Sequence, residues 1–179
     1  LFPRLYEVPR LKEMSNPTIV IVAGTYGSGA DEISEEISST LSIPTCFSTD
    51  VAAREPLRKT LSWILGERRA RETFSEVYCS SFEKSDLEWY YGHCALSMIG
   101  VMASMDRLIH ENSSAVIRGV SLISGLLPEQ YFEKANIVWI VVNVADEREH
   151  NNRYKFFYNK RINRGGVKQY REKFETIRK

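Results

Sequence analysis

Between Thr18 and Leu41 the chain reads TIVIVAGTYGSGADEISEEISSTL, an order of residue types that leaves few folds open. Thr18 to Ala23 is a run of β-branched and apolar residues, the pattern of a strand buried on both faces, as at the start of a parallel sheet. Gly24, Gly27 and Gly29 follow at once and permit positive φ and close backbone approach. Ile33, Ile37 and Leu41 then recur at the spacing of one helix face, so a helix is predicted from Asp31 onward. Strand, glycine loop and helix together make a scaffold for an anion, because loop N–H groups and the positive end of the helix dipole point into one concavity. A glycine-rich turn that binds nothing has the same local pattern.

The loop departs from the phosphate-binding signature G-x-x-x-x-G-K-[ST] at two positions. Gly24 and Gly29 keep the required separation, with Thr25, Tyr26, Gly27 and Ser28 between them, but Ala30 stands at the lysine slot and Asp31 at that of the Mg²⁺-binding hydroxyl. A backbone cradle survives these changes. The point charge on the β- and γ-phosphates does not, and a carboxylate now faces the anion site.

A chain of 179 residues with 43% hydrophobic content has enough apolar surface for one domain with its own core. No apolar run approaches the roughly 20 residues needed to span a bilayer, and the first residues carry neither a signal-peptide nor a lipidation pattern. Cys46, Cys79 and Cys94 are odd in number and lack metal-ligand spacing, so a reducing cytoplasm and small buried thiols are expected. Charge is unevenly placed: residues 1–147 hold 13 Lys/Arg against 20 Asp/Glu, a net of −7, and residues 148–179 hold 11 against 3, a net of +8. Such a basic segment suits a solvated helix pair, a polyanion-binding arm or an arginine-bearing lid over phosphates.

Leu1 to Pro17 is a proline-punctuated lead-in or a remnant of something upstream, and residues 18–179 form the domain. Ser42-Ile43-Pro44 predicts a turn and Thr45 to Ser48 a second strand, which places Asp50 at a strand's C-terminal end, where open α/β sheets bind ligands. Asp50 caps the next helix equally well, and Arg54, one turn on, faces either the cleft or solvent. Val51 to Leu65 reads as helical, and Gly66 with Arg68, Arg69 and Arg71 as a loop. Asp86 to Asn112 is a long apolar helix whose methionines and aromatics are core residues. Ser114 to Val120 and Ile137 to Val144 read as buried parallel strands, with a short crossover helix over Leu126 to Ala135. Asp146 to Ile162 and Val167 to Ile177 are helical pieces separated by Asn163-Arg164-Gly165-Gly166. No fifth strand follows in this sequence.

The succession TIVIVAGTYGSG, IPTCFSTD with a downstream arginine, AVIRGVSLISG, VNVADEREHNNR and YREKFETIRK resembles archaeal 2-phosphoglycerate kinase and its P-loop kinase relatives, in order and approximate spacing. The resemblance implies an ATP- and Mg²⁺-dependent transfer of phosphate to the hydroxyl of 2-phosphoglycerate. It implies Asp50 and Arg54 at the acceptor pocket, Arg148 and Arg153 in a lid, and relatives that continue past Lys179 into another helix and strand. The string YGSGADEIS is also similar to the glycine loop of cytidylate-kinase-like proteins, where a glycine can occupy the lysine slot. Where the phosphoglycerate-kinase relatives have an acidic residue near the end of the third strand, this chain has Arg118, which the resemblance brings beside Asp31. The metal site is then exchanged for an ion pair, which argues against Mg²⁺ at its usual position; alternatively Arg118 replaces the charge lost at Ala30.

The expected fold is therefore α/β, a mostly parallel sheet covered by helices, of the P-loop nucleoside-monophosphate-kinase type and without its last strand. The expected partners are a nucleotide, with ATP held weakly, and a small phosphorylated acceptor; neither a membrane nor nucleic acid is expected. Two functional classes stay open. One is a small-molecule kinase with impaired catalysis, and the other is a non-catalytic relative that senses a nucleotide or binds a protein.

Overall fold

The computed structural model describes residues 15–70 and 86–160. In chain order these form β1 (Thr18–Gly24), α1 (Ala30–Thr40), β2 (Thr45–Ser48), a π-helical turn (Asp50–Arg54), α2 (Glu55–Leu65), α3 (Asp86–His110), β3 (Ala115–Gly119), a 3-10 turn (Ser124–Leu126), α4 (Gln130–Lys134), β4 (Asn136–Val142) and α5 (Glu147–Lys160). The four strands are all parallel and lie in the order β2-β3-β1-β4. The predicted α/β class with a parallel sheet flanked by helices is the architecture observed.

Strand alternation divides the core in two. Ile19, Ile21 and Ala23 of β1 join Ala115 and Ile117 of β3 on one face, covered by Met98, Val101, Met105 and Leu108 of α3. The three-and-four spacing of those α3 residues is the stripe a helix needs to cover a sheet. Val20 and Val22 join Val116 on the other face, with Ala30, Ile43 and the α1 residue Ile37. β1, flanked by β3 and β4, is buried along nearly its whole length, as its apolar run predicts. The entry to β1 is pinned by hydrogen bonds from Thr18 N to Ser114 Oγ (2.9 Å) and from Asn136 N to Pro17 O (2.8 Å).

Several expectations need correction. β4 reads in sequence as a fully buried strand, but it is a sheet edge among the described residues, and with no neighbour on one side it leaves Val138 and Val141 exposed. The basic stretch expected to be a loop is helical over residues 67–70, after a left-handed Gly66 (φ +81°); Arg71 lies outside the described residues. The π-helical turn carries Val51 into α2 with Pro56 as that helix's second residue, where a missing N–H costs little. The crossover is a 3-10 turn and a five-residue helix rather than one helix. Val167 to Ile177, the glycine pair before it, and most of the lead-in lie outside the described residues. Among the described residues no helix is long and apolar enough to cross a membrane.

Candidate functional site: a glycine loop under a basic helix

The loop leaves β1 at the C-terminal edge of the sheet and enters α1. Gly27 and Gly29 have φ of +80° and +92°, so both occupy the left-handed region that favours glycine. Gly29 is the N-cap of α1 and supplies no side-chain cap, while Ser28 N donates to Thr25 O at 3.0 Å and closes the turn. Ser28 Oγ is buried and has no hydrogen-bond partner; it lies so close over Gly24 that a Cβ there would come within 2.5 Å of it. Ala30 is buried, its methyl turned toward Gly24, which leaves the loop with a backbone cradle, an unsatisfied hydroxyl and no cation at the lysine slot.

Arg118 and Asp31 meet as the sequence predicts. Arg118 pairs in register with Val22 of β1, on the sheet face that α1 covers. Its Nε is 3.0 Å from Asp31 Oδ1, as an ion pair out of line for a hydrogen bond, and Nη1 is 3.3 Å from Glu35 Oε1 and 3.6 Å from Cys46 Sγ. The guanidinium thus spans two carboxylates one helical turn apart on α1. Glu35 was readable in principle, since residues four apart share a helix face. With both carboxylates beside it, Arg118 is turned onto α1 and does not stand in for a lysine at residue 30.

The other side of the loop is closed by α5. Asp146 caps that helix, accepting from Glu149 N at 2.7 Å. His150 and Tyr154, one turn apart, are both 1% exposed. His150 Nε2 lies 2.9 Å from Tyr26 O and 3.5 Å from Thr25 Oγ1. At Gly27 the approach is closer still, because a Cβ there would be 3.0 Å from Tyr154 N. The start of the basic segment is therefore a packed helix seated on the loop. Arg153 brings Nη1 to 3.6 Å from the place a Gly29 Cβ would take, and it pairs with Glu149 on its own helix. Arg148 is exposed on the first turn of α5. Residue-by-residue reading passed over His150 and Tyr154, whose signal was a buried pair at i, i+4 in an otherwise charged stretch.

Asp50 begins the π-helical turn directly after β2, half-buried, with its N–H donating to Ser48 Oγ at 3.3 Å. Arg54 ends the same turn, and its side chain lies outside the described part. Asp50 thus sits at the same sheet edge as the glycine loop, because β2 and β1 are parallel and separated only by β3. Thr49 and Ser121, at the ends of β2 and just beyond β3, are 1% exposed with unpartnered hydroxyls. Behind them, Tyr90 OH donates to Val120 O at 2.5 Å. Burial pushes the Tyr90 phenol well above its ordinary range, and burial pushes the Cys94 thiol up to about 11, which makes both structural acids rather than reagents at neutral pH.

No protein-family model matches the chain. Over 172 residues it is 28% identical to the 2-phosphoglycerate kinase of Methanocaldococcus jannaschii, a span covering 90% of this chain and 52% of that protein. It is 28% identical over 183 residues to the 2-phosphoglycerate kinase of Methanothermobacter thermautotrophicus, covering 95% and 57% respectively. Against the 2-phosphoglycerate kinase of Methanococcus maripaludis the figures are 26% over 168 residues, 89% and 53%. The chain spans about half the length of the curated relatives it matches. With an all-parallel α/β sheet of the P-loop-kinase-like kind beneath these similarities, the chain is a relative of the archaeal 2-phosphoglycerate kinases.

Proposed function

We propose that this chain is the nucleotide-binding part of a 2-phosphoglycerate-kinase-like phosphotransferase in which catalysis is weakened. Residues Gly24 to Asp31 would hold the phosphates of ATP, Asp50 and Arg54 would face the phosphorylated hydroxy acid, and Arg148 and Arg153 would lie over the transferred group. The observation that carries this reading is the loop itself: two left-handed glycines and a buried, unpartnered Ser28 hydroxyl at the N-terminus of an eleven-residue helix. In the transfer, the bond from the γ-phosphorus to the β-bridging oxygen breaks, a bond to the acceptor's hydroxyl oxygen forms, and that hydroxyl loses its proton. The protein contributes positioning and electrostatic stabilisation.

The donor set does not fit a protein-held Mg²⁺. Asp31, at the position of the metal-binding hydroxyl, is paired with Arg118, whose cation repels a second cation. No step is therefore routed through a protein-held ion. This same pair favours a second reading, a non-catalytic relative that senses a nucleotide. Calorimetric titration of ATP with and without Mg²⁺, followed by an assay with 2-phosphoglycerate and CMP as acceptors, separates the two. The kinase reading expects weak ATP binding and slow transfer to 2-phosphoglycerate, raised in the combined variant Ala30→Lys, Asp31→Ser, Arg118→Glu but not by Ala30→Lys alone. ATP binding with no transfer in either protein selects the sensor, and transfer to CMP alone selects the cytidylate-kinase-like alternative.

A further inference from the structure

We propose that Arg153 of α5 supplies the positive charge that this loop lacks at Ala30, and that Glu149 holds the guanidinium until a phosphate chain displaces the carboxylate. The inference rests on the phosphate-binding reading of the loop and identifies which residue completes it. Its ligand class is a nucleoside triphosphate or a free polyphosphate, recognised through the terminal phosphates.

Placement comes first. Arg153 Nη1 is 3.6 Å from the point where a Gly29 Cβ would stand, and Gly29 is the residue immediately before Ala30. The guanidinium therefore lies beside the N-terminus of α1, near where a lysine at residue 30 would bring its ammonium. Two anchors hold it there. His150 meets the Tyr26 carbonyl at 2.9 Å, and the backbone at Tyr154 is in contact range of Gly27. Arg153 lies between these anchors on the same helix, so the loop and the cation are positioned as one unit.

Electrostatics supply the second step. Arg118 is committed to Asp31 and Glu35. Arg153 has Glu149 as its ion-pair partner, four residues back on its own helix, with both side chains about half exposed. An exposed pair of this type is weak and easily exchanged. A polyphosphate carries several charges and forms charge-assisted, bidentate contacts with a guanidinium, so it competes with a single carboxylate. Glu32, whose Oε2 is 4.0 Å from the same Gly29 position, adds a negative charge that a nearby cation must offset before an anion can settle. The buried, unpartnered Ser28 hydroxyl inside the loop offers a donor to that anion.

The test is calorimetric titration of ATP and of inorganic tripolyphosphate, without Mg²⁺, into the full chain and its variants, with circular dichroism confirming native folding. Arg153→Ala is expected to weaken both ligands by about ten- to hundredfold, the loss typical of one charge-assisted contact. Arg153→Lys should retain most of the affinity, and Glu149→Gln should tighten both ligands several-fold. Adding Ala30→Lys to Arg153→Ala should restore binding, while the same change in the wild-type background should add much less. A natively folded Arg153→Ala that binds as tightly as wild type overturns the inference, as does Glu149→Gln that weakens binding. Because residue 30 is buried, the Arg153 and Glu149 variants decide the question even where Ala30→Lys does not fold. Dependence of tripolyphosphate binding on Arg153 with no transfer to 2-phosphoglycerate sustains the inference and removes the kinase reading. Transfer that is equal in wild type and Arg153→Ala does the reverse, and no binding of either ligand by wild type removes both.

Discussion

At Gly27 the glycine loop and α5 approach so closely that one added carbon would stand 3.0 Å from Tyr154 N, on a residue whose φ is already +80°. Two penalties coincide there, backbone strain and a contact with main-chain atoms that cannot swing aside. Gly27→Ala is expected to cost about 1–3 kcal/mol and to lower the melting temperature, with faster hydrogen exchange in the first turns of α5. A melting temperature equal to wild type would mean that α5 does not rest on the loop. Sequence alone flags Gly27 as permissive of positive φ, but the helix above it comes from more than a hundred residues away and is invisible locally.

Between elements, Arg118 is the polar tie that joins β3 to α1. Removing it leaves Asp31 and Glu35, four residues apart on one helix face, to repel each other without a cation. Arg118→Ala should therefore destabilise the fold by about 1 kcal/mol in urea unfolding, an amount kept small because both carboxylates are substantially exposed. Asp31→Ser alone should cost less, since Glu35 still engages the guanidinium. A double-mutant cycle with no coupling between residues 31 and 118 would show that the ion pair contributes nothing. The Asp31 to Arg118 contact was legible from position, because β1 and β3 are neighbours and their ends meet at the loop. Glu35 and the docking of α5 were not, since a helix's surface charges become specific only once its rotation about the sheet is fixed.

For the whole molecule, the acids sealed in the core make stability fall in alkali. Burial raises the Cys94 thiol from 9.0 to about 11, and burial with the hydrogen bond to Asp106 raises Tyr131 from 10.0 to about 12. Each group loses its proton at lower pH in the unfolded chain than in the folded one, so above about pH 9 the unfolded state binds fewer protons. Stability should be undiminished by these groups below pH 9 and should fall between about pH 9 and 12, as read by urea midpoints across that range. Cys94→Ala should flatten the first part of the decline, and an unchanged slope would assign it elsewhere. Across the molecule, what the sequence by itself determined was everything that follows from short-range pattern: the apolar run of β1, the helix face of α1 and α3, the glycine positions, and hence the parallel α/β class. Those patterns act through backbone conformation and period, which neighbours in sequence decide. The tertiary structure alone decided which strand lies at an edge, so that β4 is half-exposed despite an apolar run like that of β1. It also decided which arginine faces the loop, because a long charged side chain takes the partner that folding brings near: Arg118 went to two carboxylates on α1, and Arg153 came to rest beside Gly29.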